Sequence, residues 1–258
     1  MKREEEIKRD MMELWRETFH DSSRYIELVF DNYFSQDNIF VRYHENRLIA
    51  SLLSIPYEFQ ILTKEGEKTK IKGRYLCGLA THPDYRKRGI MTELMKEAEQ
   101  AASINGYDLT FLIPADQPLR EYYKRRGYEN RSFRRIFKTT KSKVEGKSKM
   151  NIYSFRDIFT RGNNKLIKQI SEWCRRRELE SKAPTIIHSQ EDLIIAMAEN
   201  ENSIFLTDET FDLEYPILAK VRGVVFPEVS EEADTPIRVV GMYYRSMGEG
   251  KFEETLPS

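Results

Sequence analysis

Cysteine is scarce in this 258-residue chain. Cys77 and Cys174 are the only two, they lie far apart, and each sits within an apolar pattern. This scarcity excludes a disulfide framework and favours two buried free thiols. The four histidines are scattered along the chain without the spacing of metal ligands, so no metal site is expected.

Signals for membrane insertion and secretion are also lacking. No run of about eighteen apolar residues is present to cross a bilayer, and the N-terminal sequence MKREEEIKRD lacks the apolar segment of a secretory signal. We therefore expect a cytoplasmic protein. Net charge is lacking as well, because 42 Lys and Arg residues balance 42 Asp and Glu residues. That balance argues against long-range attraction to a polyanion such as nucleic acid.

The chain does contain enough apolar surface for a core, with 40% hydrophobic and 12% aromatic residues. Apolar residues at helical spacing predict one helix from Ile7 to Phe19 and a second from Tyr25 to Phe34, which Ser22 and its neighbours can cap. Extended patterns then predict three antiparallel strands in a meander, over residues 39–43, 48–63 and 69–81.

Helical and extended segments alternate after this meander. A helix is predicted over 90–105, with Gly106 ending it in a left-handed conformation, and a short strand over 109–113. A short helix between Pro118 and Gly127 and a strand over 133–138 follow. This order predicts an α/β fold with a mixed sheet rather than a doubly wound parallel one.

The polar, basic segment TTKSKVEGKSK, residues 139–149, is typical of a linker. We therefore expect a first domain over 1–140, a linker over 141–150 and a smaller α+β region over 151–258. Two helices and three strands are expected in that region, the strands over 203–207, 217–226 and 237–245. This order repeats the start of the chain, so an incomplete second copy of the first domain is one interpretation and chance similarity is the other.

A basic loop that contains glycine joins a predicted strand to a predicted helix in GLATHPDYRKRGIMT, residues 78–92. The free N–H groups and positive dipole end of a helix start bind anions, and Gly89 allows the backbone to approach phosphate oxygens. Arg86, Lys87 and Arg88 add positive charge. The segment therefore predicts a pyrophosphate site.

This loop and a later tyrosine motif resemble the GNAT acetyltransferase superfamily. Its central motif is Arg/Gln-x-x-Gly-x-Gly/Ala, and its later motif is commonly Tyr-x-x-x-Gly-Phe/Tyr. RKRGIM at 86–91 and YKRRGY at 123–128 follow these patterns in order, except that Met91 stands where the family usually has Gly or Ala. The resemblance covers about residues 1–140 in element order, and it is specific over 78–128.

The resemblance implies the acyl-CoA N-acyltransferase fold and direct transfer of an acetyl group from acetyl-CoA to a primary amine in a ternary complex. It implies that the pantetheine amides pair with the backbone of Leu79, Ala80 and Thr81. It implies that the pyrophosphate is held by Arg86, Lys87, Arg88, Gly89, Ile90, Met91 and Thr92. Tyr123 matches the tyrosine that protonates the departing CoA thiolate in many relatives, and Tyr122 is the adjacent alternative.

No general base is assigned. The strand before the loop contains no carboxylate, which leaves Glu58, His82 and Asp84 as candidates and a water chain as the alternative.

The segments at 81–91 and 114–116 are similar to the enhanced-intracellular-survival subgroup of the family. Its members add a second GNAT-like region and a sterol-carrier-like domain and place the chain terminus in the active site. This chain has room for part of the second GNAT-like region but not for both additions. Ser258 is therefore not expected to be catalytic.

Two other functions stay open. The basic stretch 120–149, with interleaved aromatic residues Tyr122, Tyr123, Tyr128 and Phe133, is typical of a nucleic-acid surface. Alternatively, a degenerate GNAT domain would bind CoA as a regulatory ligand without turnover.

The C-terminal region would cover an edge of the first domain, narrow the acceptor cleft or form a homodimer surface. The acceptor class stays open among aminoglycosides, polyamines, amino acids and protein lysines.

Overall fold

The computed structural model describes residues 2–62, 66–134, 150–154, 164–180, 185–199, 203–208, 217–220 and 238–245. Contacts divide the chain into two compact units. Among the described residues, unit 1 comprises those up to 132 together with 185–187 and 240–245, and unit 2 comprises the others. None of the helices in these ranges is long and apolar enough to cross a membrane.

Two amphipathic helices open unit 1. α1 (Glu4–Phe19) begins with three glutamates, which the positive end of the helix dipole favours, and buries one face. α2 (Ser23–Tyr33) is capped by Ser22, whose Oγ accepts a hydrogen bond from the backbone N–H of Tyr25. Both predicted helices and the predicted cap are confirmed.

Three antiparallel strands follow as the predicted meander, β1 (Ile39–His44), β2 (Arg47–Leu62) and β3 (Lys68–Thr81). A short 3-10 turn (Pro83–Tyr85) then leads into α3 (Ile90–Ile104). Gly106 follows α3 with a left-handed φ of 72°, as predicted. β4 (Leu109–Leu112) returns parallel to β3, which confirms a mixed sheet.

α4 (Gln117–Lys124) is capped by Asp116, whose Oδ1 accepts a hydrogen bond from the Leu119 N–H at 2.8 Å. β5 (Glu129–Arg134) follows it. The prediction of a strand over 133–138 placed its start too late. The first residues of β5, Glu-Asn-Arg-Ser, are polar and hide the extended pattern. Residues 135–138 lie outside the described part of the chain.

The remaining elements are β6 (Met150–Ser154), α5 (Asn164–Glu180), β7 (Thr185–Ile187), α6 (Gln190–Glu199), β8 (Ser203–Asp208), β9 (Ile217–Lys220) and β10 (Arg238–Arg245). β7 pairs with β2 and β10 pairs with β4, both antiparallel. The sheet of unit 1 therefore has seven strands in the order β1-β2-β3-β4-β10-β5, with β7 beside β2. The strand predicted over 237–245 exists, and its pairing within the first sheet was not predicted.

Unit 2 contains a three-stranded antiparallel sheet in the order β6-β8-β9 and the helices α5 and α6. The Oγ of Ser189 accepts a hydrogen bond from the Asp192 N–H and so caps α6. Residues 141–149 of the predicted linker lie outside the described ranges. The domain boundary and the internal duplication stay predictions.

A hydrophobic cluster joins the sheet of unit 1 to α3 and α4. Its members are Ala50, Leu52, Leu76, Leu94, Met95, Ala98, Leu112, Tyr123 and Tyr128. Burial of each large apolar side chain contributes about 1.5–3 kcal/mol. The cluster therefore fixes α4, and with it the tyrosine motif, against β3 and the first half of α3.

Candidate functional site

A β-bulge interrupts β3 close to its end. Gly78 and Leu79 of β3 together oppose the single residue Leu52 of β2. Gly78 adopts a φ of 60°, and a Cβ there would lie 2.6 Å from Cε3 of Trp15 and closer still to Cζ3. Glycine adopts this φ readily and has no Cβ to clash with the ring of Trp15. The bulge is therefore set by α1 and β3 together.

β3 and β4 part just before this bulge. Their parallel ladder runs from the pair Gly73–Leu109 to the pair Tyr75–Phe111, whose rings stack with centroids 5.1 Å apart. Residues 76–81 of β3 have no partner in β4 within the described ladder. Backbone N–H and C=O groups on that side of β3 are therefore not paired with β4, which is the state that an extended, amide-containing ligand would require. The predicted pantetheine residues 79–81 lie in this stretch.

The loop after β3 turns tightly into α3. Lys87 (φ 61°) and Gly89 (φ 81°) adopt left-handed conformations. Gly89 is the N-cap of α3, a Cβ there would meet open space, and no side chain caps the helix. The N–H groups of the first turn and the positive dipole end are therefore available to an anion.

Three exposed cations surround this helix start. The Nε of Arg86 donates to the Thr81 carbonyl at 3.0 Å, and Nη2 of Arg88 donates to the Asp84 carbonyl at 2.8 Å. These contacts orient both guanidinium groups on the loop. Lys87 is exposed between them. The loop therefore combines positive side chains with free backbone donors, as its sequence suggests.

Tyr123 belongs to the hydrophobic cluster on which residues of β3 and of the start of α3 pack. It is 7% exposed, and Leu79, Ile90 and Met91 pack against the cluster that contains it. Burial and then the neighbouring Tyr122 raise the pKa of Tyr123 to about 12, so its hydroxyl stays protonated at neutral pH. Within the described part of the chain, this hydroxyl has no hydrogen-bond partner. It is a proton donor without a protein acceptor.

Tyr122 points to the start of α3 instead. Its hydroxyl lies 3.2 Å from Oγ1 of Thr92. Arg126 donates to the same Oγ1 through Nε at 3.1 Å and Nη2 at 2.8 Å, and through Nη1 to the Tyr122 carbonyl at 2.8 Å. Its guanidinium carbon lies 3.4 Å from the centroid of the Tyr122 ring. The sequence does not predict this contact, because the run Lys-Arg-Arg is typical of a solvated face.

The candidate bases have other partners. Glu58 is exposed, with its carboxylate 2.8 Å from Nζ of Lys70. His82 is 9% exposed, with Nε2 2.6 Å from the Arg47 guanidinium and Nδ1 accepting from the Asp84 N–H at 3.3 Å. His82 therefore caps the 3-10 turn before α3. None of the three is assigned as a general base.

A cavity of about 390 Å³ opens beside α1 and the β1–β2 turn. Its lining includes the carboxylates of Asp10, Glu13, Glu17 and Glu45 and the ring of His82. Its lining comes from Lys2, α1, the β1–β2 turn, the start of β2 and His82, and it includes no residue of β4. No group of three or more His, Cys, Asp or Glu side chains in the described ranges could hold a metal ion.

The aromatic residues of the basic stretch 120–149 are mostly unsuited to stacking on bases. Tyr123 is 7% exposed and Tyr128 is fully buried, with its hydroxyl 2.7 Å from Glu99. The ring of Tyr122 is covered by Arg126. Residues 135–149 and the side chain of Phe133 lie outside the described part. The described tyrosines thus give no support to a nucleic-acid surface.

A family model provides the decisive comparison. The model described as an acetyltransferase (GNAT) domain matches residues 2–131, half of the chain. The chain belongs to the GNAT acetyltransferase family. No curated protein matches this GNAT chain.

Solved structures share the GNAT fold at low sequence identity. A probable N-acyltransferase of unknown function from Enterococcus faecalis V583 has a TM-score of 0.51 and 15% identity, over 80% of this chain and 50% of its own. Eis1 from Mycobacterium abscessus has a TM-score of 0.51 and 12% identity, over 81% and 50%. A GCN5-related N-acetyltransferase from Kribbella flavida has a TM-score of 0.57 and 14% identity, over 95% and 71%. The chain thus spans half the length of the proteins from Enterococcus faecalis and Mycobacterium abscessus.

Proposed function

We propose that this GNAT protein transfers an acetyl group from acetyl-CoA to a primary amine by direct attack within a ternary complex. The observation that carries this proposal is the parting of β3 from β4 immediately before an uncapped helix start flanked by cations. The open strand edge suits the amides of pantetheine, and the helix start suits a pyrophosphate.

The donor would bind along residues that the sequence already singles out. Leu79, Ala80 and Thr81 would pair with pantetheine, and residues 86–92 would hold the pyrophosphate. The Thr81 carbonyl accepts the Nε–H of Arg86 and retains a second lone pair for the ligand. Met91 packs its side chain on the core cluster, so its size does not fill the loop where phosphate oxygens would lie.

Tyr123 would act as the acid. The amine nitrogen attacks the thioester carbonyl, the C–S bond breaks, and the hydroxyl of Tyr123 donates its proton toward the departing thiolate sulfur. The amine loses its extra proton to water, and water restores any proton that Tyr123 gives up. The free, protonated hydroxyl of Tyr123 supports this role. Tyr122 suits it less, because its hydroxyl is hydrogen-bonded to Thr92.

The state of Cys77 supports direct transfer rather than an acyl-cysteine intermediate. Cys77 directly precedes the bulge, and burial raises the pKa of its thiol to about 12. The nucleophilic form of cysteine is the thiolate. At neutral pH this thiol is therefore protonated and a poor acceptor for the acetyl group.

Thiol release from acetyl-CoA tests the proposal, with aminoglycosides, polyamines, amino acids and lysine peptides as acceptors. We expect turnover with at least one of these amine classes. Binding of acetyl-CoA without turnover with any class would favour the regulatory alternative. An absence of both binding and turnover would contradict both readings.

Two finer assignments are also proposals. Residues 81–91 and 114–116 support membership of the enhanced-intracellular-survival subgroup, and activity toward aminoglycosides in the same panel would be consistent with it. A homodimer would show as twice the chain mass of 30.6 kDa in analytical ultracentrifugation.

A further inference from the structure

Arg126 brings a cation to the start of α3 from a different element. Its guanidinium is anchored to Oγ1 of Thr92, a residue in the first turn of α3, by two hydrogen bonds. A third bond to the Tyr122 carbonyl and the stack on the Tyr122 ring fix its plane. The side chain is therefore held in one orientation beside the predicted anion site.

The fixed guanidinium has more N–H groups than its three hydrogen bonds use. An arginine side chain carries five N–H groups, and the three hydrogen bonds use one each on Nε, Nη1 and Nη2. One N–H on Nη1 and one on Nη2 remain for a ligand. Because the side chain is already ordered, a ligand that binds these two groups incurs little further loss of conformational entropy.

The charge of Arg126 is also unneutralised in the described part of the chain. Its partners there are a hydroxyl, a backbone carbonyl and an aromatic ring, and no carboxylate lies within ion-pair distance. A cation beside the positive end of a helix is electrostatically unfavourable by itself. An anion bound at the same place would make the arrangement favourable, because it would attract both Arg126 and the helix start.

We propose that Arg126 is a phosphate-binding residue of the acyl-donor site, with its two remaining N–H groups donating to a phosphate of CoA. This assignment rests on the proposed function and adds the turn after α4 to an anion site otherwise built by the loop before α3. The phosphate in question is either the pyrophosphate or the 3′-phosphate. The two offer the same chemistry, and dephospho-CoA, which lacks the 3′-phosphate, distinguishes them.

Calorimetric titration of the full chain tests the assignment. The wild type, Arg126→Gln, Arg126→Lys and the control Arg125→Gln would each be titrated with CoA and with dephospho-CoA at two salt concentrations. Arg125 is the adjacent exposed arginine and makes none of these contacts. We expect Arg126→Gln to weaken CoA binding about ten- to hundredfold, Arg126→Lys less, and Arg125→Gln by about twofold or less.

The salt dependence separates charge from structure. Loss of a phosphate contact should make the affinity of Arg126→Gln less sensitive to salt than that of the wild type, because fewer ions are displaced on binding. Equal losses with both ligands would identify the pyrophosphate, and a loss with CoA alone would identify the 3′-phosphate.

Two results would overturn the assignment while the proposed function stands. These are wild-type affinity in Arg126→Gln, or weakened affinity with an unchanged salt dependence, which would indicate a merely structural role. Thermal unfolding of each variant checks that it is folded. If the wild type itself bound neither ligand, the proposed function would fall and this assignment with it, and the wild-type titration alone would show that.

Discussion

Replacement of Gly78 by alanine tests how the bulge of β3 is built. The left-handed backbone at φ 60° costs a residue with a Cβ about 1–2 kcal/mol. The added Cβ would also lie within 2.9 Å of three ring carbons of Trp15, and overpacking of this kind costs about 1–3 kcal/mol. We expect the free energy of unfolding to fall by about 2–5 kcal/mol, a large part of the typical 5–15 kcal/mol.

Urea denaturation measures this loss as a lower midpoint at an unchanged slope. Gly106→Ala is a matched control, because Gly106 has a φ of 72° and a Cβ there would meet open space. It should show the backbone cost alone, about 1–2 kcal/mol. A double variant, Gly78→Ala with Trp15→Leu, should show less than the sum of the single losses, because the smaller side chain relieves the contact.

The reasoning would be refuted if Gly78→Ala were no more destabilising than Gly106→Ala. In that case the ring of Trp15 moves aside freely, and α1 does not fix the bulge.

Two further predictions concern Tyr123 and one concerns Glu99. Tyr123→Phe should lower kcat about 10²- to 10⁴-fold with little change in thermal stability, whereas the control Tyr43→Phe, away from the site, should keep wild-type turnover; full activity of Tyr123→Phe would remove its role. Because the raised pKa of Tyr123 is about 12, its acid form persists through mildly alkaline pH. Between about pH 7 and pH 9, ionisation of Tyr123 should therefore not lower kcat. Any fall in the wild-type kcat over this range should also be present in Tyr123→Phe. Burial raises the pKa of Glu99 above its ordinary value of 4.5, so the folded state favours the protonated carboxyl and loses stability as pH rises from that ordinary value through the higher folded value. Glu99→Gln keeps an acceptor for the Tyr128 hydroxyl without the charge, so its stability relative to the wild type should increase from about pH 4 to about pH 7.5; a difference independent of pH in urea denaturation would contradict this.

The sequence predicts the first half of the fold well because its signals are local. The helical stripes of α1 and α2, the alternation along β2 and the glycine at the end of α3 each lie within one element. Their bounds in the structure agree with the sequence within a few residues. A mixed sheet follows from the order of these elements.

The place of β10 could not be predicted in the same way. Its apolar residues predict a strand over 237–245, but a strand pattern does not name its neighbour. Its partner β4 lies far earlier in the chain, and their pairing depends on long-range backbone hydrogen bonds. The three-residue β7 is too short to give a periodic signal at all.

The candidate site was predictable to a similar degree. The loop over 86–92 is recognisable because charge and glycine are adjacent in the sequence. The demand for glycine at Gly78 is not recognisable, because it arises from Trp15 on another element. Arg126 is likewise hidden, since its contact with Thr92 exists only once α4 packs beside α3.

Calorimetric titration with acetyl-CoA tests the central claim most directly. The wild type should bind it saturably at a single site, and Gly89→Val should weaken binding, because the added side chain would occupy the space that the loop leaves open for phosphate. Gly106→Val, which places the same side chain at a similar φ beyond the other end of α3, should bind as the wild type does. The claim would be contradicted if the wild type bound neither acetyl-CoA nor CoA, or if Gly89→Val bound acetyl-CoA as tightly as Gly106→Val.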